Sequence, residues 1–274
     1  MEEAVIERSM GTGGAREHRV PAERRAAIID YVSSNGSVSI AGLTQRFDVS
    51  PVTIHRDLAQ LAANGIVERV RGGVRAVAGT ASDPRRNWDL RRLSRQLQKQ
   101  RIAARAAQEI SAGDTIFLDA STTAFALALE LQENPPRALT IVTNSPAVLV
   151  EMNLGVHLVA CPGEVDQHLN CIAGRWAEEF FAGIKFSTAF LGGAALHRDQ
   201  GLRANQRSTA DVNRAAASVS ARVVALVDST KFEQTALVKT LDLGSVHHVI
   251  TDSELDEHVA DRYVRQGTII SRAA

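Results

Sequence analysis

From residue 113 to its end the chain is organised by seven short apolar runs: "TIFLD" (115–119), "LTIVT" (139–143), "VHLVA" (156–160), "STAFLG" (187–192), "RVVALVD" (222–228), "HHVIT" (247–251) and "TII" (268–270). Turn residues bound each run and helical stretches separate them. Short, nearly continuous apolar runs fit strands buried on both faces. Such strands alternating with helices predict an α/β fold, a largely parallel sheet with helices on both faces. No repeat of solenoid period is present. With 274 residues the chain has room for this body and a smaller domain.

The smaller domain is predicted on the N-terminal side. A helix over about 23–34 places Ile28 and Val32 four apart, and a second over 40–47 places Ile40, Leu43 and Phe47 on one side. The stretch "DVSPVTIHRDL" (48–58) then sets a third helix. Ser50 caps it, and Pro51 sits in its first turn, where a missing N–H is harmless. Ile54, Leu58 and Leu61 bury one side, Thr53, His55, Arg56 and Gln60 fall elsewhere, and Asn64-Gly65 supplies the stop. Next, "IVERVRGGVRAV" (66–77) reads as a hairpin with a two-residue Gly-Gly turn, carrying Arg69, Arg71 and Arg75.

A helix-turn-helix followed by an arginine-bearing hairpin is a winged helix, which implies a double-stranded DNA operator as partner. The candidate DNA-binding residues are Ser50, Thr53, His55 and Arg56 on the third helix, with Arg69, Arg71 and Arg75 on phosphate or in the minor groove. Two bland alternatives stand beside this. Thr53 also suits a cap, and Arg56 also suits a surface pair with Asp57 or Asp30.

Charge leans the same way. Formal net charge is zero, yet residues 1–101 hold 17 Lys+Arg against 11 Asp+Glu and residues 102–274 hold 14 against 20. One half is suited to a polyanion and the other is not, although "RRNWDLRRLSRQLQKQR" (85–101) supplies much of the excess and equally suits a solvated helix. Composition divides the chain into a flexible leader (1–20), a winged helix (21–77), a linker with a connecting helix (78–112) and a larger C-terminal α/β domain (113–274). "AGTASDP" (78–84) is the linker, and the basic stretch predicts one long helix to about Ile110 with Leu93, Leu97 and Ile102 on its apolar side. The leader lacks the features of a signal peptide, and no apolar run is long enough for a membrane helix, so a cytoplasmic protein with no membrane partner is expected. Cys161 and Cys171, with His168 between them, match neither a disulfide framework nor a zinc knuckle. Two buried reduced thiols, no metal and no cofactor are expected.

The residues from 23 to 73 resemble the N-terminal domain of the DeoR family of bacterial transcriptional regulators. The family pattern VS-x-x-TIRRDL, then L-x-x-x-G-x-x-x-R-x-x-GG, is matched at Val49, Ser50, Thr53, Ile54, Arg56, Asp57, Leu58, Leu61, Gly65, Arg69, Gly72 and Gly73. It is broken at His55, where arginine is usual, and at Arg71, where histidine often stands. The resemblance continues through "GDTIFLDASTTAFALALEL", "LTIVTNSPAV", "VALVDSTKF" and "HVITD". It implies an effector domain similar in fold to ribose-5-phosphate isomerase that senses a phosphorylated sugar or polyol.

The residues themselves point to the same place. Predicted strands end in small polar loops: Asp119, Ser121, Thr122 and Thr123; Asn144 and Ser145; Gly163; Gly193; Asp228 and Lys231. Ligands of open parallel sheets bind outside the carboxyl ends of the strands, and free N–H groups at a helix start favour phosphate. Lys231 would add a point charge, with Asp119 and Asp228 accepting from sugar hydroxyls. Each loop taken alone is also an ordinary helix cap. Departures from the family lie at Ser121, where glycine is usual, and at Thr209 and Asn213, where an acid and a lysine are usual. The expected function is a repressor of a carbohydrate operon, acting as a homo-oligomer (dimer or larger) and relieved by a sugar phosphate, without catalysis. The alternatives are a repressor whose C-terminal domain serves only oligomerisation, and an isomerase-like enzyme.

Overall fold

The computed structural model describes residues 21–63, 66–76, 84–152, 155–167 and 169–274. The expected leader, the Asn64-Gly65 stop, most of the linker and His168 lie outside these residues.

The N-terminal part runs α1 (Pro21–Asn35), β1 (Ser37–Ser39), α2 (Ile40–Phe47), α3 (Pro51–Ala63), β2 (Val67–Val70) and β3 (Gly73–Ala76). Ile28 and Val32 of α1, Leu43 of α2 and Ile54, Leu58 and Leu61 of α3 meet in one buried core, with Ile40 and Phe47 packed on its margin. Between α2 and α3 the chain turns through Asp48 in the left-handed region (φ 48), and Ser50 Oγ accepts from Thr53 N at 3.2 Å to start α3. The wing differs from the sequence expectation in two ways. Val70 pairs with Gly73, so the two-residue turn is Arg71-Gly72, with Gly72 at φ +81. Gly73 instead lies in β3, where a Cβ would stand 2.3 Å from the Val38 carbonyl oxygen. That close approach belongs to β1, an unforeseen third strand that pairs with β3.

Two helices follow, α4 (Pro84–Leu93) and α5 (Gln96–Ala107), where one long helix is predicted. The break is at Arg95, whose φ is +51. The reason is tertiary: Leu93 packs on the winged-helix core while Ile102 packs on the core of the sheet domain. One segment serves two bodies and bends between them.

The rest comprises β4 (Thr115–Leu118), α6 (Thr122–Glu133), β5 (Thr140–Thr143), α7 (Pro146–Glu151), β6 (His157–Ala160), β7 (Glu164–Asp166), β8 (Cys171–Ala173), α8 (Arg175–Phe180), β9 (Phe186–Gly192), β10 (Ala195–His197), β11 (Gly201–Ala204), α9 (Arg207–Ser218), β12 (Ser220–Leu226), β13 (Val238–Leu241), β14 (His248–Asp252), α10 (Glu257–Val264) and β15 (Ile270–Ala273). All seven apolar runs become strands of one parallel seven-stranded sheet, ordered β15-β14-β12-β9-β4-β5-β6, the last starting at Ile270 instead of Thr268. Alternate residues feed opposite faces. Ile116 and Leu118 join Ile102, Phe125 and Leu127 under α5 and α6, whereas Phe117 joins Phe181, Val212 and Tyr263 under α8, α9 and α10. A strand apolar on both sides is what this double cover demands. The hairpin β7–β8 and the small antiparallel sheet β10-β11-β13 were not foreseen, their strands being only three or four residues long.

Candidate functional site

Two surfaces collect the candidate residues. On the first, Ser50 Oγ caps α3 and lies 2.9 Å from Thr53 Oγ1, so both hydroxyls are engaged locally at the start of the helix. His55, Arg56 and Gln60 are exposed, together with Val52, which is 68% exposed and was missed as an apolar side chain on an outward face. Arg56 has no ion pair among the described residues. Asp57 is buried on α3 and is paired with α1: Arg24 Nε reaches its Oδ2 at 2.6 Å and Arg25 its Oδ1 at 3.6 Å. The Asp30 side chain lies outside the described residues. The wing arginines divide. Arg69 donates to the His55 carbonyl at 3.1 Å, bracing the wing on α3, and Arg75 pairs with Glu68 at 2.7 Å. Arg71 is exposed at the turn with no partner among the described residues.

The second surface is a cavity of about 290 Å³ at the carboxyl ends of the strands. Strand β4 lies between β9 and β5, so the chain winds outward in both directions from the β4–β9 pair. A crevice opens where the winding reverses. The cavity sits there, lined by the loops after β4, β9 and β12 and by the α4–α5 segment. Asp119, Ser121, Thr122, Thr123, Gly193, Asp228 and Lys231 all border it. Asn144, Ser145 and Gly163 do not, because β5 and β6 are further out and their ends are covered by the β7–β8 hairpin. Asn144 Nδ2 donates to the Ile172 carbonyl at 2.9 Å, and Ile172 N donates back to the Asn144 carbonyl at 2.7 Å. Ser145 caps α7 through Val148 N at 3.4 Å, and Gly163 (φ +147) lets Ala173 approach, since a Cβ would meet its oxygen at 2.5 Å.

Inside the cavity, hydrogen bonding separates framework from free donors. Buried Asp119 accepts from Ser121 N at 3.0 Å, Gly192 N at 2.9 Å and Asn213 Nδ2 at 2.9 Å. Burial pushes its carboxyl above the usual range, against the pull of those donors. Asp228 accepts from Thr230 N at 3.0 Å and lies 3.3 Å from Arg95 Nε. Both carboxylates thus accept from donors of the chain itself while bordering the cavity. Ser121 is likewise structural: it caps α6 through Ala124 N at 3.1 Å, and a Cβ on Gly192 would stand 2.3 Å from its own Cβ. The hydroxyls of Thr122 and Thr123 and the ammonium of Lys231 have no partner among the described residues. Three further cations border the cavity, Arg91, Arg95 and Lys99, with Asn205, Gln206, Thr209 and Cys171. Sequence reading missed the three cations because they lie on the connecting segment, away from strand ends. The cavity wall therefore carries Arg91, Arg95, Lys99 and Lys231 against Asp119 and Asp228, a surplus of two positive charges.

Both cysteines are free and buried, and burial pushes each thiol up to about 12. Among the described residues no group of His, Cys, Asp and Glu is placed to hold a metal ion, and no helix is long and apolar enough to cross a membrane.

Fold and site define a winged-helix protein joined to a parallel α/β domain with a cationic crevice at its switch point. Residues 24–80 match the DeoR-like helix-turn-helix domain and residues 94–253 the DeoR C-terminal sensor domain. The chain belongs to the DeoR family of transcriptional regulators. It is 32% identical to the HTH-type regulator YgbI of Escherichia coli (strain K12), over 90% of this chain and 96% of that one. It is 31% identical to the regulator GlpR of Haloferax volcanii (86% and 92%), and 30% identical to the glycerol-3-phosphate regulon repressor of E. coli (strain K12) (84% and 90%). Ribose 5-phosphate isomerase A of Neisseria gonorrhoeae aligns with a TM-score of 0.37 and 12% identity over 51% of this chain and 54% of that one.

Proposed function

We propose that the chain is a repressor of a carbohydrate operon whose DNA affinity is lowered when a phosphorylated sugar or polyol occupies the strand-end cavity. The observation that carries this reading is the cavity's composition: a surplus of two positive charges beside free Thr122, Thr123 and Lys231 at the start of a 12-residue helix. A phosphate monoester carries close to two negative charges at neutral pH, and helix N–H groups suit its oxygens. The name of the glycerol-3-phosphate regulon repressor supports the same ligand class. On the DNA side, exposed Val52, His55, Arg56 and Gln60 enter the major groove while Arg71 meets a phosphate. Arg69 and Arg75 serve mainly to shape the wing. Two copies or more engage repeated half-sites, and an effector that favours another arm spacing weakens binding. The cavity senses and does not catalyse, because Asp119 and Asp228 are both occupied and Thr209 stands where the family resemblance places a carboxylate.

A thermal-shift screen of phosphorylated sugars against their unphosphorylated counterparts tests the site. A ligand at about 100 times its Kd adds roughly 2.7 kcal/mol to native stability. Stabilisation should require the phosphate and weaken in Lys231→Ala. Equal stabilisation by the unphosphorylated sugars would refute the phosphate assignment.

A further inference from the structure

The connecting segment supplies three of the cavity's cations, and two of them fix the end of helix α4. Arg95, the left-handed residue between α4 and α5, reaches Glu254 Oε2 at 2.8 Å, Asp228 Oδ1 at 3.3 Å and Asp252 Oδ1 at 3.5 Å, and donates to Ser229 Oγ at 3.0 Å. These partners stand at the carboxyl ends of β12 and β14. Lys99, buried on α5, donates from Nζ to the main-chain oxygens of Arg91 and Ser94. Carbonyls at a helix C-terminus have no partner within the helix, and a lysine there both satisfies them and complements the dipole.

Helix α4 is itself held by two cores. Trp88 packs edge-on against Phe125 of α6 with ring centroids 5.2 Å apart, and Leu93 packs on the winged-helix core. Whatever displaces the end of α4 therefore displaces the attachment of the DNA-binding domain.

Resting on the reading that the cavity takes a phosphate-bearing effector, we propose that Arg95 and Lys99 couple the cavity to the winged helix. An anion in the cavity competes with Asp228 and Asp252 for Arg95, and with the Arg91 and Ser94 carbonyls for Lys99, so the end of α4 is released. A charged acceptor makes hydrogen bonds roughly twice as strong as a neutral one, so an uncharged polyol does not compete in this way. Signal transmission thus needs no separate relay. The cations that border the ligand are those that hold the helix.

Hydrogen–deuterium exchange of the full chain, with inorganic phosphate as the probe, tests the coupling on wild type, Arg95→Gln and Arg95→Gly. Glycine keeps the left-handed bend without strain while deleting the guanidinium, so the test stays readable if the glutamine variant distorts the bend. In wild type, phosphate should raise the melting temperature and speed exchange over residues 91–97 by about fivefold or more, the lower end of typical coupling. In both variants that segment should exchange fast already and respond less to phosphate, and the rise in melting temperature should be smaller, because one of the four cations bordering the anion is gone. A wild-type melting temperature raised by phosphate with exchange at 91–97 unchanged would overturn the coupling and leave the cavity assignment standing. No rise at all would overturn both.

Discussion

On helix α3, Arg56 stands exposed with no ion-pair partner among the described residues, whereas in the cavity Asp119 and Asp228 are buried and held by donors of the chain itself. The two regions use polar residues in opposite ways. A surface that meets a polyanion keeps its cations uncommitted, because surface pairing would have to be broken on binding. A crevice at the strand ends has to fix its loops before it holds anything, and buried carboxylates tolerate that position only when hydrogen-bonded. The arginine of one region is thus left uncommitted, and the carboxylates of the other serve as framework.

The sharpest break of this comparison is Asp119→Ala. Ser121 N, Gly192 N and Asn213 Nδ2 would all lose their acceptor, so the account expects a loss of about 3–5 kcal/mol in denaturant unfolding, as for a broken buried polar network. A stability within about 0.5 kcal/mol of wild type would place Asp119 among ligand contacts instead. Next in size is Gly192→Ala, which overpacks Ser121 and should cost about 1–3 kcal/mol. Adding Ser121→Gly should restore much of that loss, and a double-mutant cycle reads the interaction directly.

The exposed face should behave in the reverse sense. Arg56→Ala should leave thermal stability unchanged while costing about 1–3 kcal/mol of DNA affinity in an anisotropy titration, the range of a good base contact. Arg71→Ala should have a smaller effect, lowering the slope of log affinity against log salt by about 1. A third cluster responds to acid alone. Glu109 receives Arg105 and Arg222 at 2.8 Å each, and His248 Nδ1 lies 3.4 Å away. Burial raises the Glu109 pKa, but the guanidinium hydrogen bonds outweigh it and leave it lowered; burial also lowers that of His248, against the pull of Glu109. Both folded values therefore lie below their ordinary 4.5 and 6.5. Stability from both groups is present above pH 6.5, and is lost as the pH falls through their two folded values. Melting curves against pH should be flatter in a Glu109→Gln, His248→Gln double variant.

The sheet was legible because buried parallel strands need apolar residues at every position, a local and continuous signal. Helix α3 was legible for a related reason: Ser50, Pro51 and the Ile54–Leu58–Leu61 spacing are all local. What stayed hidden is set by contacts between distant segments. Strand β1 exists because Gly73 lets Val38 approach, and the bend at Arg95 exists because Leu93 and Ile102 serve different cores. The cavity's position followed from strand ends, and so did seven of the residues that border it, but the rest of its membership did not. Asn144 and Gly163 look like ligand loops until the β7–β8 hairpin is seen on top of them. Arg91, Arg95 and Lys99 come from a segment that sequence alone reads as a solvated basic helix. Their spacing carries no sign that they fold back over the sheet.

The central claim is that occupation of the cavity by a phosphorylated sugar or polyol weakens DNA binding. Its most direct test is a titration of full-length protein onto DNA sites it selects from a random pool, with and without the phosphorylated compound that most raises its melting temperature. The account predicts that affinity falls about 5–150-fold with that compound, is unmoved by its unphosphorylated counterpart, and responds less in Lys231→Ala. Equal affinity with and without a compound that demonstrably stabilises the protein would contradict it.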